Sequence, residues 1–244
     1  MRLMAGENHY SNRGLMQLHI HALCRHDSNL RLVSVNDWQP RVPVRFFLGR
    51  TRDGNIWRFR DDVPIDVCEA IESLCADEPE TLIGPPRHES TYVEILSAQG
   101  PVEQAWHGPA YWFPRGTAEI ESVGYAGDAI YLHEENAAVL SNSMADWLAD
   151  VPHQQPFAAV VADNKAVAVC ASVRITAEAH EAGVETHVSH RHKGYALSAV
   201  SAWAIAVEAT GALPLYSTSS ENRVSQAVAA RLGLVQYGSD FHII

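Results

Sequence analysis

The stretch that decides the fold is Val188-Ser-His-Arg-His-Lys-Gly-Tyr-Ala-Leu197. A run with β-like composition, 181–188, precedes it, and a long run with apolar residues at helical spacing, 194–210, follows it. Basic residues and a glycine therefore lie where a strand is followed by a helix. Backbone N–H groups at a helix N-terminus are unpaired and carry partial positive charge, and Gly194 lets a ligand approach the backbone closely. The pattern predicts an anion site at this corner.

Composition limits the partners of the chain. Its 244 residues, 47% of them hydrophobic, are enough for one large domain or two small ones. The formal charge of −11 argues against nucleic-acid binding, so the basic cluster Arg191–Lys193 favours a small anion. The four cysteines lack Cys-x-x-Cys spacing, no signal peptide opens the chain, and no apolar run reaches the roughly 18 residues of a membrane span. We expect a cytoplasmic protein with reduced thiols and no membrane partner.

The first half of the sequence predicts short, alternating elements. A helix is indicated over 15–26, and Pro64 opens another that runs to about Ala76. The strands predicted there are 30–35, 42–48 and 56–60, the last two forming an antiparallel hairpin.

The second half shows a clearer order of elements. After a strand-like segment, 104–114, and a predicted helix, 134–149, three strands form an antiparallel meander. Asn222 is a favoured helix N-cap and Gly233 lies where a helix commonly ends. The elements predicted from the meander onward are strands 157–162, 165–176 and 179–188, a helix to 210, a strand 213–218, a helix 222–232 and a strand-rich tail, 234–244.

These elements and two motifs resemble the GNAT superfamily of N-acetyltransferases over roughly 102–244. Arg191-His-Lys-Gly194-Tyr-Ala196 is similar to the superfamily's phosphate loop, Arg/Gln-x-x-Gly-x-Gly/Ala. Asn222-x-x-Ser225, after a strand, is similar to its second motif. The resemblance implies an α+β, sandwich-like fold whose mixed, mostly antiparallel central sheet is flanked by helices. Residues 1–101 match no pattern and would form an N-terminal α/β segment of open role beside the acetyl-CoA-binding domain, 102–244.

The resemblance also implies a reaction, the transfer of an acetyl group from acetyl-CoA to an amine. The attacking amine must lose a proton, and Glu185 and His187, on one face of the strand, are the candidate bases. Glu185 would otherwise be a surface residue of the sheet. The residues implied in binding the cofactor are Thr186, His187, Val188, Arg191, His192, Lys193, Gly194, Tyr195, Ala196, Asn222 and Ser225.

Two departures from the superfamily keep a second function open. Many members have a tyrosine, the general acid, seven residues after the motif asparagine, where this chain has Ala229. Tyr216 and Tyr237 are possible substitutes. The tail after Tyr237 is short, so the last strand is truncated or another segment completes the sheet. The alternative is a non-catalytic CoA-binding or regulatory protein on the same scaffold.

The 13 histidines lack a recognised metal-ligand spacing, so no metal is expected. A homo-oligomer is compatible with the sequence, which does not identify the amine acceptor.

Overall fold

The structure, a computed structural model, describes residues 10–114 and 127–244. Its described residues divide into two compact units. The first unit comprises 10–111, 217–223 and 236–244, and the second comprises 112–216 and 224–235. The elements in chain order are α1 (Asn12–Leu23), β1 (Cys24–His26), β2 (Leu32–Val35), β3 (Phe46–Thr51), β4 (Ile56–Phe59), α2 (Ile65–Cys75), α3 (Glu89–Ser97), β5 (Ala105–Trp112), β6 (Ala129–Tyr131), β7 (Phe157–Ala162), β8 (Lys165–Ile175), β9 (Ala179–Thr186), α4 (Tyr195–Thr210), β10 (Leu213–Ser217), α5 (Arg223–Arg231) and β11 (Val235–Ile243).

In the first unit, the predicted hairpin is present, with β4 as the edge strand of a sheet and β3 inside it. β3 pairs antiparallel with β4, Phe46 facing Phe59, and also antiparallel with β11, Phe46 facing Ile243. All six residues of β3 are buried. The rings of Phe46, Phe59, Tyr92 and Phe241 pack together beneath the strands, with α2 and α3 supplying further apolar side chains.

The short C-terminal tail forms β11, and β5 completes the sheet beside it. In the first unit, the strands follow the spatial order β4-β3-β11-β5, so β5 covers the outer edge of β11. The backbone N–H of Glu103 donates to the carbonyl of Ile244 at 2.9 Å, and the N–H of Ile244 donates to Gln104 at 3.0 Å. The sequence left open whether the last strand is truncated or another segment completes the sheet. The second holds, since β5 comes from earlier in the chain.

Gly108, in β5, permits a close approach between β5 and the residues that follow β10. The N–H groups of Thr218 and Ser220 donate to the carbonyls of Pro109 and His107 at 3.2 and 3.0 Å. A Cβ atom on Gly108 would lie only 1.8 Å from the carbonyl oxygen of Thr218. Only glycine therefore fits here without moving the backbone.

In the second unit, the predicted meander is present and is covered by the long helix. The pairs β6–β7, β7–β8 and β8–β9 are antiparallel, and β9–β10 is parallel. The turn between β7 and β8 has positive φ at Asp163 and Asn164, 50° and 60°, which these residue types tolerate. Because many of its residues are small, α4 lies close against β7, β8 and β9.

The predicted helix over 134–149 is wrong. The segment forms two 3₁₀ turns, Glu134–Leu140 and Ala145–Trp147. Between them the hydroxyl of Ser143 donates to the carbonyl of Ala166 at 2.7 Å, and Met144 is not helical, with φ and ψ of −142° and 44°. Ser143 thus bonds to a strand 23 residues further along the chain, at the point where the helical run is interrupted.

Both units combine mostly antiparallel strands with flanking helices, which confirms the predicted α+β class. No helix among residues 10–114 and 127–244 is both long and apolar enough to cross a bilayer.

Candidate functional site

A groove opens where β9 and β10 separate. The two parallel strands pair at only three positions, the last being Leu215 with Glu181. β9 continues to Thr186, and its other edge remains paired with β8 through Thr186 and Ala168. The backbone N–H and C=O groups of β9 past Glu181 therefore face an edge that an extended ligand can pair with.

Gly183 and a β-bulge shape the start of this groove. The β8–β9 register shifts between Ser172 and Arg174, leaving Val173 as the extra residue. A Cβ atom on Gly183 would lie 2.1 Å from Cγ1 of Val173 and 3.2 Å from the ring of Trp147. The missing side chain lets both residues pack over β9, which the sequence alone did not indicate.

The basic corner follows β9 directly, with the strand before it and the helix after it as predicted. Val188–His190 forms a 3₁₀ turn, and the exposed residues Arg191–Lys193 lead to α4. His192 and Gly194 have φ values of 62° and 88°. Gly194 is the N-cap of α4, whose first N–H groups have no acceptor within the helix. A reversed backbone, a helix start and cationic side chains make a corner suited to a phosphate group.

Glu185, the candidate base, is exposed near the end of β9 and is hydrogen-bonded by Trp147. Its Oε2 accepts a hydrogen bond of 2.6 Å from Nε1 of Trp147. The indole also packs edge-on against Phe157, at 5.6 Å between ring centroids. Trp147 lies in the segment wrongly predicted as helical, and no local pattern there pointed to a contact with β9.

The residues after Glu185 form a connected polar group. The N–H of His187 donates to the carbonyl of Val167 at 2.9 Å, which extends the β8 pairing by one residue. The Arg191 side chain donates through Nε to the carbonyl of Thr186 at 3.3 Å. Val188 is 70% exposed. The structure thus gathers the predicted residues from Glu185 to Ala196 along one strand end and one corner.

The second motif divides between the two units. Asn222 belongs to the first unit, is exposed, and donates its N–H to the carbonyl of Ser219 at 3.0 Å just before α5. Ser225, in the second unit, shares a 2.7 Å hydrogen bond with the hydroxyl of Tyr216. α5 ends before Gly233, whose φ is 66°, as predicted.

The structure places both tyrosines considered as substitutes and also Ala229, the position where many superfamily members have the tyrosine. Tyr216 is the first β10 residue beyond the last pair with β9, and its side chain reaches the first turn of α5. Ala229 lies one turn further along α5 and is fully buried. Tyr237 is buried edge-on to His19 in the first unit.

In the first unit, the imidazole of His107 lies close to the loop before Asn222, and the sequence did not single it out. Its Nε2 lies 3.3 Å from the hydroxyl oxygen of Ser220, two residues before Asn222. The pairing depends on β5 lying beside this loop, which no local signal predicts. No group of three potential metal ligands is present among the residues that the structure describes.

Comparisons with known proteins identify the scaffold. Residues 157–239 match the family model described as GNAT acetyltransferase. The chain is similar to a GCN5-related N-acetyltransferase-like protein from Streptococcus suis, with 13% identity over 82% of this chain and 84% of that one and a TM-score of 0.51. It is also similar to a functionally unknown conserved protein from Staphylococcus epidermidis, with 11% identity, coverages of 78% and 83%, and a TM-score of 0.51.

A third solved structure is an acetyltransferase described as belonging to the GNAT family, from Novosphingobium aromaticivorans. It is 15% identical, with coverages of 59% of this chain and 66% of that one and a TM-score of 0.48, so the chain spans slightly less than two thirds of that protein. No curated protein matches the chain significantly. At such identities the structural likeness shows the fold only.

Proposed function

Because residues 157–239 belong to the GNAT superfamily of acetyltransferases, we propose that the protein is an N-acetyltransferase that moves an acetyl group from acetyl-CoA to an amine. The observation that carries the proposal is the separation of β9 from β10 directly before the Gly194 corner. The two features lie on consecutive segments of one chain, so a ligand with a pairing arm and a phosphate end fits both.

Acetyl-CoA has the chemistry that these features require. Backbone groups of Thr186, His187 and Val188 would pair with the amides of its pantetheine arm as a neighbouring strand would. The N–H groups from His192 to Ala196 would bind its pyrophosphate, with Arg191 and Lys193 adding positive charge. Asn222 and Ser225 would contact the CoA arm. The acetyl-CoA-binding region would lie within 102–244.

Glu185 would act as the base. Acetyl-CoA supplies a thioester, and transfer requires the acceptor nitrogen to bond to its carbonyl carbon while the carbon–sulfur bond breaks. Glu185 takes the proton that the amine releases, and His187 is a second acceptor on the same side of the strand. Trp147 binds one carboxylate oxygen of Glu185, Oε2, and the other oxygen would take the proton. A backbone N–H of β9 can stabilise charge on the carbonyl oxygen.

Tyr216 would return a proton to the leaving sulfur. Its hydroxyl is delivered to α5 one turn before Ala229, the position at which the superfamily's tyrosine is absent. The side chain is 3% exposed and its phenol donates to the backbone carbonyl of Ser225 at 3.5 Å, so protonating the sulfur would require this hydrogen bond to break. The same superfamily scaffold therefore retains a phenol beside this helix, supplied by the strand.

Several broader assignments accompany the proposal. The acceptor is an amine whose identity a screen must supply. A cytoplasmic location fits four cysteines that are all buried and unbridged. Residues 1–101 are proposed as an N-terminal α/β segment whose role is unknown.

Calorimetry with purified protein tests donor binding, using acetyl-CoA, CoA and ADP-ribose as titrants. We expect acetyl-CoA and CoA to bind and ADP-ribose, which has a pyrophosphate but no pantetheine arm, to bind more weakly. A flat acetyl-CoA titration would contradict the proposal. A panel of primary amines, followed by release of free thiol, then tests transfer.

The alternative is a non-catalytic CoA-binding protein, and the alanine at position 229, in place of the superfamily's tyrosine, favours it. One variant, Glu185→Gln, distinguishes this alternative from an enzyme. Glu185→Gln keeps the shape of the side chain and the acceptor for Trp147. Loss of transfer with unchanged acetyl-CoA binding supports catalysis. Binding without thiol release by the wild-type protein, across the whole amine panel, supports the alternative.

A further inference from the structure

One hydroxyl group lies between two imidazole rings at the end of the groove. The oxygen of Ser189 is 2.8 Å from Nδ1 of His187 and 2.9 Å from Nδ1 of His190. The two ring centroids are 5.8 Å apart, and the N–H of His190 closes the turn on the carbonyl of His187 at 2.8 Å. Both distances are those of well-formed hydrogen bonds.

The two hydrogen bonds of Ser189 must run in the same direction along the group His187, Ser189 and His190. A serine hydroxyl has one hydrogen, so it donates to one imidazole nitrogen and accepts from the other. If His187 carries its proton on Nδ1, His190 must present an unprotonated Nδ1 to the hydroxyl. The tautomers of the two rings are then coupled through Ser189. Both hydrogen bonds reverse when the Nδ1 proton of His187 moves to Ser189 and the hydroxyl proton moves to His190.

The group begins beside the proposed base and ends at the anion corner. His187 follows β9 on the same side as Glu185, two residues along the alternation. The His190 ring lies 6.0 Å from that of Tyr195, the first residue of α4. The other titratable or charged groups at this turn are Arg191, bound to the carbonyl of Thr186, and the exposed His192 and Lys193.

We propose that His187, Ser189 and His190 form a proton relay that carries the proton released by the acceptor amine out to solvent. The inference rests on the proposed function. A donor paired with Thr186–Val188 would cover that strand edge and limit the access of water to the base, whereas His190 lies past the covered segment.

The proton balance closes without an oxidant or reductant. Nε2 of His187 gains the proton that left the amine, directly or from Glu185 through water. The Nδ1 proton of His187 passes to the oxygen of Ser189, and the hydroxyl proton passes to Nδ1 of His190. Nε2 of His190 then loses its proton to water, and exchange with water resets the two tautomers. Ser189 and His190 act through His187 and are positioning residues.

Ser189→Ala, with Ser189→Thr as the conservative partner, tests the relay in the full chain. At low buffer concentration we expect Ser189→Ala to lower kcat by about 10-fold, less than the loss of a general base itself, with KM for acetyl-CoA unchanged. Ser189→Thr keeps a hydroxyl and should keep most of the rate. Added imidazole should restore the alanine variant, because it can carry protons in place of the relay.

The matched control is His153→Gln, which removes an exposed imidazole of the same unit from outside the groove. It should leave kcat and the effect of imidazole unchanged. Wild-type kcat in Ser189→Ala at low buffer, or a loss that imidazole does not restore, overturns the relay.

Imidazole ¹⁵N NMR separates this inference from the proposed function. In the protein without substrates, we expect the His187 and His190 rings to show opposite tautomers and linked titrations that Ser189→Ala uncouples. Independent titration in the wild-type protein overturns the relay. Absence of acetyl transfer by the wild-type protein, with linked titrations present, is instead a failure of the proposed function.

Discussion

The indole nitrogen of Trp147 lies 2.6 Å from Oε2 of Glu185, joining a 3₁₀ turn to the exposed end of a strand. A hydrogen bond to a charged group is stronger than one between neutral groups, and this one fixes the carboxylate in a single orientation. The hydrogen bond from Trp147 therefore orients the Glu185 carboxylate, although the Glu185 side chain is exposed.

Trp147→Phe should lower kcat by about 10-fold while KM for acetyl-CoA stays unchanged, because it removes the N–H and keeps an aromatic ring against Phe157. Steady-state kinetics with the best amine of the panel measures this. Trp147→Ala is the comparison, since it also loses packing and should lower Tm. A phenylalanine variant with wild-type kcat would show that the hydrogen bond does not orient the base.

Gly194→Ala should weaken acetyl-CoA binding by at least about 10-fold, because φ is 88° there and a side chain would strain the anion corner. Gly211→Ala is a matched control at the other end of the same helix, with a φ of 91°. Both variants should lose similar stability, about 1 kcal/mol, while calorimetry should show weaker donor binding in the first alone. Equal binding by the two variants would remove Gly194 from the donor site.

Tyr216→Phe should lower kcat if the phenol protonates the leaving sulfur, by a factor on the order of 10². Acetyl-CoA is a fair donor without an acid, so residual activity is expected. Ser225→Ala, which removes the partner hydroxyl only, should reduce the rate less. If Tyr216→Phe changes Tm but not kcat, the residue is structural.

Gly108→Ala should destabilise the protein by about 3 kcal/mol or prevent folding, because the new Cβ atom would overlap the carbonyl of Thr218. Gly14→Ala, in α1 of the same unit, meets Ser11 only at 3.4 Å and should be neutral or slightly stabilising. Thermal denaturation of both variants measures the contrast. Equal melting temperatures would mean that β5 does not lie as close to Thr218 as described.

Asp240 should make stability depend on acid pH. Its carboxylate is fully buried between His19 and His242, at 3.2 and 3.1 Å. Burial alone would raise the pKa of Asp240, but the charge of His242 and the hydrogen bonds from both histidines outweigh it and hold the pKa at about 2, below the usual 3.8.

Since the folded pKa is the lower one, this stabilisation is complete above about pH 4 and is lost as the pH falls through about 2. Its size is about 2 kcal/mol. Urea denaturation of the wild type and of Asp240→Asn, from about pH 6 to about pH 2, should show a steeper loss in the wild type. Parallel curves would assign the acid sensitivity to other carboxyl groups.

The features that followed from the sequence are those set by local rules. Gly233 follows the end of α5, and Gly194 begins α4 with the backbone reversed. Each depends on a residue type and its immediate neighbours.

What the sequence could not supply depends on partners distant along the chain. Trp147 and Glu185 are separated by 38 residues, and nothing near Trp147 encodes the contact. The predicted helix over 134–149 is interrupted where Ser143 bonds to Ala166, a residue of β8. The place of β5 beside β11 was likewise left open, since its sequence predicts a strand but not its neighbours.

The pairing of β3 with β11 has a consequence for synthesis of the chain. Gly238–Ile243 pair with Thr51–Phe46, which are synthesised much earlier. Contacts between such distant segments are slow to form, and until they do β3 exposes an apolar edge. The sheet of the first unit therefore stays open until Gly238–Ile243 have been synthesised and can reach β3.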